Sequence, residues 1–201
     1  MSSTPNDNES QPTAVSLLDI QKGLRGDSRT EYARARSSVW ELSEKALGIE
    51  HVIFDFAQEN GSEGRFLFVY WLASTKLWKI NYSSVVLKSF SDFDLLVRAT
   101  AIGLVVRRGR NAFDSIFKLF LSENAVETEA DGEILMERYL KADHKYENDW
   151  VQNLVVKKRQ ARALKISKLI IDGMTVEETR GEILGEDSFV FDHLKCFLRV
   201  E

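Results

Sequence analysis

Residues 51–82, HVIFDFAQENGSEGRFLFVYWLASTKLWKINY, hold much of the aromatic mass of this chain, and everything else must pack on them. Val52, Phe54 and Phe56 alternate with Ile53, Asp55 and Ala57, which predicts a strand with one strongly apolar face. Asn60-Gly61 and Gly64 predict a hairpin loop, because Asn and Gly accept the positive φ that such turns require. Residues 65–73 are apolar on both alternating faces, with Phe66, Phe68, Tyr70 and Leu72 on one and Leu67, Val69, Trp71 and Ala73 on the other. A strand of that kind must be covered twice, which makes it the middle strand. Trp78, Ile80 and Tyr82 then alternate along a third strand, which residues 85–87 extend or follow with a short fourth. The expected fold is α+β: mostly helical, with one three-stranded antiparallel β-meander packed against helices.

The remainder reads as helix. Both prolines fall within residues 1–14, a polar segment expected to be a disordered tail because it has nothing to bury. Residues 15–201 are expected to form a single α+β domain, with 145–201 as a candidate helical C-terminal subdomain. The predicted helices cover residues 17–24, 28–47, 93–106, 112–122, 128–142, 147–172, 175–184 and 189–200. Ser28 with Glu31 and Thr175 with Glu178 have capping-box spacing, in which each side chain satisfies a free backbone N–H of the first turn. Tyr32, Ala35, Val39, Leu42 and Ala46 recur at helical spacing as a buried stripe. Residues 93–106 are apolar nearly all round, which marks a central buried helix.

Composition narrows the class. The chain is 44% hydrophobic and 29% charged over 201 residues, enough to bury a core without disulfides. It carries a formal charge of -4, which argues against a basic nucleic-acid coat but leaves room for a local basic face. The single cysteine, Cys196, excludes an internal disulfide. No apolar run reaches the ~20 residues of a bilayer span, and the N-terminus lacks a signal-peptide layout. The expected location is cytoplasmic or nuclear.

The sharpest charge feature is VVKKRQARALKISKL at residues 155–169, with no acid between Asp149 and Asp172. On a helical wheel Lys157, Lys158, Arg162, Lys165 and Lys168 share a broad face, opposite Val156, Ala163, Ile170 and Ile171. Such a face can follow a phosphate backbone or an acidic protein. It can equally be matched from within, by the acidic helix at 128–142 or by the acids between Asp172 and Asp192. Arg107, Arg108 and Arg110 end a helix, where positive charge complements the helix dipole, and can join the same patch.

Three short segments carry resemblances. GRFLFVYW resembles the aromatic strand of RNA-recognition motifs, without the family's residue order. Phe90-Ser91-Asp92-Phe93 resembles the strand-to-helix corner of phox-homology domains, which implies phosphoinositide binding. Ser89 stands where that family has its basic residue, and its proline-rich loop is missing. The helices from Ile166 onward resemble a helix-turn-helix. Catalytic constellations are poor: His193 and Cys196 lie three apart, but no second ligand pair accompanies them. No phosphate-binding glycine loop or nucleophile elbow is present.

The expectation is therefore a non-enzymatic binding or regulatory protein. Its basic amphipathic helix would contact an anionic partner, with RNA favoured over an acidic protein. The alternatives are a protein–protein adaptor whose charge blocks match internally, a phosphoinositide-binding module, and an enzyme with an unrecognised site. No cofactor and no metal is expected, and a homo-oligomer is left open.

Overall fold

The structure, a computed structural model, describes residues 14–44, 46–142, 149–183, 186 and 188–199. Among these residues the chain forms eleven helices and no strand. They are α1 (Ala14–Arg25), α2 (Arg29–Glu44), α3 (Ala46–Glu59), α4 (Gly61–Ser74), α5 (Tyr82–Phe90) and α6 (Leu95–Arg108). The chain continues through α7 (Arg110–Glu123), α8 (Glu129–Lys141), α9 (Asp149–Ile171), α10 (Val176–Glu182) and α11 (Ser188–Arg199). Apart from Ala14, which opens α1, the tail expected at residues 1–14 lies outside the described residues. No helix among the described residues is long and apolar enough to cross a membrane.

The β-meander is overturned, and so is the α+β class. Residues 51–59 belong to α3, residues 61–74 are α4, and residues 75–81 are a loop leading into α5. In α3 the buried positions are Ile49, Ile53, Phe56 and Ala57, at the i, i+4, i+7, i+8 spacing of a helix face. The apparent alternation came from half-buried Val52 and Phe54 lying beside that stripe. In α4, Phe66, Leu67, Phe68, Val69, Trp71 and Leu72 are all buried. A run that is apolar on every side fits a central strand and a central helix alike, so periodicity cannot separate them. Here five helices, α1, α2, α3, α5 and α6, surround α4 and cover residues 66–69, 71 and 72 on every side.

The turn residues keep their role but join different elements. Gly61 has φ +56 and reverses the chain between α3 and α4. Gly64 lies where α4 crosses α3: a Cβ there would stand 2.4 Å from the Phe56 carbonyl oxygen and 3.0 Å from Ala57 Cα. Residues 85–87 are buried within α5, not in a strand. Phe90 ends that helix, so the strands that a phox-homology corner needs are absent. The stretch likened to an RNA-recognition strand is α4 itself.

A second buried axis is α6, whose residues 97–105 are all buried. It packs on α4, α5, α7, α9 and α11. Asp94 caps it by accepting from Leu96 N at 2.9 Å. Thr128 caps α8, and Thr175 with Glu178 forms a complete capping box at α10. Gly173, at φ +110, ends α9 with left-handed backbone. The α11 helix buries Val190, Phe191 and Leu194 against α6, so it packs and does not read a groove in DNA. One hydrophobic cluster extends from Leu17 in α1 to Leu194 in α11.

Candidate functional site

Every residue expected to form the anion-binding face is engaged inside the protein. The α8 and α9 helices run antiparallel, and the acids of one meet the bases of the other. Glu133 pairs with Lys168, and Glu137 accepts from Lys165 at 2.9 Å. That hydrogen bond, with the charge of Lys165 behind it, holds the Glu137 carboxyl below the usual carboxylate range. Lys157 reaches Glu123 at 3.3 Å. Lys158 is buried and donates to the Ala142 carbonyl at 2.6 Å. Arg162 faces Glu186 at 4.0 Å.

The arginines at the end of α6 are spent in the same way. Arg108 donates to the carbonyls of Leu72 and Thr75, which closes the C-terminal end of α4, and burial lowers its pKa. Arg110 pairs with Asp172 and lies 5.9 Å from the Phe113 ring. Arg107 donates to the Phe197 carbonyl and stacks 4.3 Å above its ring. On the apolar side of α9, Ala163 is buried and Ile170 and Ile171 pack partly buried against the core as expected, but Val156 is exposed. Ala161, Leu164, Ile166 and Ser167 are buried as well, because α9 is wedged among α5, α6, α7, α8 and α10.

An open groove lies elsewhere, between α2 and α11. Both helices pack on the central pair, α2 along α4 and α11 along α6, and a cavity of about 730 Å³ separates them. Its walls are aromatic, with Tyr32 and Trp40 on the α2 side and Phe197 on the α11 side. Trp40 is 62% exposed. The floor is made of small residues, Ala73 and Ser74 of α4, and Ala33 and Ser37 line the α2 side. Arg36 and Arg107 are the charged side chains among the described residues lining it, and no acid joins them.

Polar groups line its base. The Tyr32 and Tyr70 hydroxyls lie 3.2 Å apart, and burial together with that contact raises the Tyr70 pKa. His193 sits between the rings of Phe189 and Phe197, with Nε2 3.4 Å from Thr100 Oγ1. Burial lowers its pKa, so the neutral imidazole is favoured. Cys196 is exposed beside it. No group of three or more potential metal ligands occurs among the described residues.

Reading the sequence assigned Tyr32 to a buried stripe and passed over Arg36 and Trp40. These three stand at i, i+4, i+8, a face of α2 distinct from the buried Ala35 and Val39, and that spacing was the available signal. Compared with protein-family models, with curated proteins and with solved structures, the chain has no match.

Proposed function

We propose that this protein is a non-enzymatic adaptor whose α2–α11 groove receives an acidic, amphipathic helical segment of a partner protein. The observation that carries the reading is charge placement. Lys157, Arg162, Lys165 and Lys168 of α9 meet Glu123, Glu186, Glu137 and Glu133, while the exposed Arg36 of α2 faces a cavity with no acid among its described lining residues. The groove's shape selects the form of the occupant. Small residues at its base permit close approach of a backbone, and aromatic walls suit the apolar anchors of an inserted helix. Arg36 complements a carboxylate flanking those anchors. A polyanion would need a longer cationic track, and the formal charge of -4 works against one.

The test is selection from a displayed peptide library, followed by affinity measurement on synthetic copies of the selected peptides. Wild-type protein should enrich peptides that combine helical apolar spacing with acidic residues. The double variant Trp40→Ala/Arg36→Glu should bind them at least ~10-fold more weakly, with its circular dichroism unchanged, since loss of a central aromatic and an arginine carries that cost. Equal binding by the variant refutes the groove reading. Salt-dependent binding of a single-stranded oligouridine, unaffected by that variant, would replace the adaptor with an RNA-binding protein.

A further inference from the structure

Away from the groove, the corner between α5 and α6 gathers an excess of buried and partly buried positive charge. Asp92 has a fully buried side chain; it accepts from Ser62 at 2.7 Å and from Arg65 Nε at 2.8 Å. Asp94 pairs with Arg25 while capping α6. Arg98, 6% exposed, donates to the Asp92 carbonyl at 2.8 Å and to Glu186 at 2.9 Å. Glu186 also faces Arg162 at 4.0 Å. That leaves Arg159. It reaches only the Ser91 carbonyl, at 3.4 Å, and has no carboxylate within ion-pair distance among the described residues.

Among the described residues, five guanidinium groups, from Arg25, Arg65, Arg98, Arg159 and Arg162, therefore share three carboxylates, from Asp92, Asp94 and Glu186. Burial first, and then the neighbouring charges of Arg98 and Arg162, disfavour the charge on Arg159 and outweigh the opposing pull of Glu186 and Asp92. Arg98 and Arg162 each keep a buried Nε–H without a hydrogen-bond partner. Buried arginine normally has its donors filled, and an unpaired cation in such a place is costly. At the same corner Phe93 is 79% exposed.

We infer that this corner is an oxyanion site, distinct from the groove, which takes a phosphate group between Arg159 and Arg162. A phosphate suits the arrangement because several of its oxygens can accept from guanidinium forks approaching from different directions. It supplies the negative charge that the three carboxylates do not.

The test uses inorganic phosphate and pyrophosphate with the full chain. Thermal unfolding is followed in phosphate and in chloride at equal ionic strength, for wild type and for Arg159→Gln. Phosphate stabilises many proteins by exclusion from their surface, so the difference between the two chains is what counts. A millimolar site gives wild type a rise of roughly 5 °C at ~50 mM phosphate beyond that of the variant. Titration calorimetry with pyrophosphate should show heat for wild type and none for Arg159→Gln. Equal phosphate responses, with no calorimetric binding, overturn the site.

Arg159 makes one weak contact, so its loss should leave the fold intact. If it does not, Arg162→Lys, which keeps the charge and loses the fork, supplies the comparison. Sedimentation with phosphatidic-acid vesicles separates the sources of the phosphate. A lipid headgroup would require the Phe93 ring, so Phe93→Ser would abolish sedimentation. A free phosphate would bind both chains alike and pull neither down.

Discussion

Gly64→Ala is the sharpest test of how α3 and α4 meet. In an exposed helix interior the change would stabilise by about 1 kcal/mol, because alanine loses less backbone entropy. At position 64 the new Cβ would stand 2.4 Å from the Phe56 carbonyl oxygen and 3.1 Å from Asn60 Cβ. That oxygen cannot swing aside, since it also accepts from Asn60 N at 3.1 Å and Asn60 Nδ2 at 3.0 Å. The helices must separate by roughly 1 Å, and overpacking of this kind costs about 1–3 kcal/mol before any gain from propensity. The net loss is then up to about 2 kcal/mol, which corresponds to a fall in Tm of up to about 4–8 °C for a chain of this size. Gly181 in α10 is the internal control, because nothing lies within 4 Å of its Cβ position. Gly181→Ala should be neutral or stabilising by up to about 1 kcal/mol. Urea unfolding followed by circular dichroism measures both. If Gly64→Ala is as benign as Gly181→Ala, the close crossing is wrong.

Phe68 has no exposed surface and its ring meets Phe54, Trp71 and Tyr82, so Phe68→Ala should cost about 3–5 kcal/mol in the same assay. Reversing Lys158, Arg162 and Lys165 to Glu should destabilise by several kcal/mol instead of acting as a surface change, because it sets acid against Glu137 and Glu186 and buries a carboxylate at position 158. An unchanged melting temperature would show that α9 is not internally matched. Lowering the pH should weaken the fold through His193. Its pKa is depressed in the folded state, so the unfolded chain binds the proton more readily, and stability present above pH ~6.5 is lost as pH falls below that value. Comparing urea midpoints of wild type and His193→Gln at pH 7.5 and 5.5 should show a smaller pH dependence in the variant.

What depended on neighbours in sequence was legible. Thr128, the Thr175–Glu178 box and Gly173 act on backbone within a few residues, and all three stand where their spacing placed them. The burial of residues 97–105 was legible too, because an apolar run of that length needs a helix. The same logic failed at α4, where a run apolar on all sides has no period and two flanking glycine signals resembled a hairpin. Charge matching was visible only as a choice between alternatives, because Lys165 meets Glu137 and Lys168 meets Glu133 through the geometry of α8 against α9. Of the groove, only the α2 face of Tyr32, Arg36 and Trp40 was legible, from its helical spacing. Trp40 and Phe197 face one cavity only because α4 and α6 lie side by side beneath them.

That groove joins an early helix, α2, to the latest one described, α11. During synthesis the α2 wall and the floor leave the ribosome well before residues 188–199 do. Until then α6 lacks the cover over Gly103, where a Cβ would come within 2.5 Å of the Phe197 ring, and Arg107 lacks the ring and carbonyl that hold it. A nascent or C-terminally clipped chain thus has only one wall of the groove. Loss of that one helix would remove the groove's second wall and expose the apolar seam of α6 that quality-control machinery recognises.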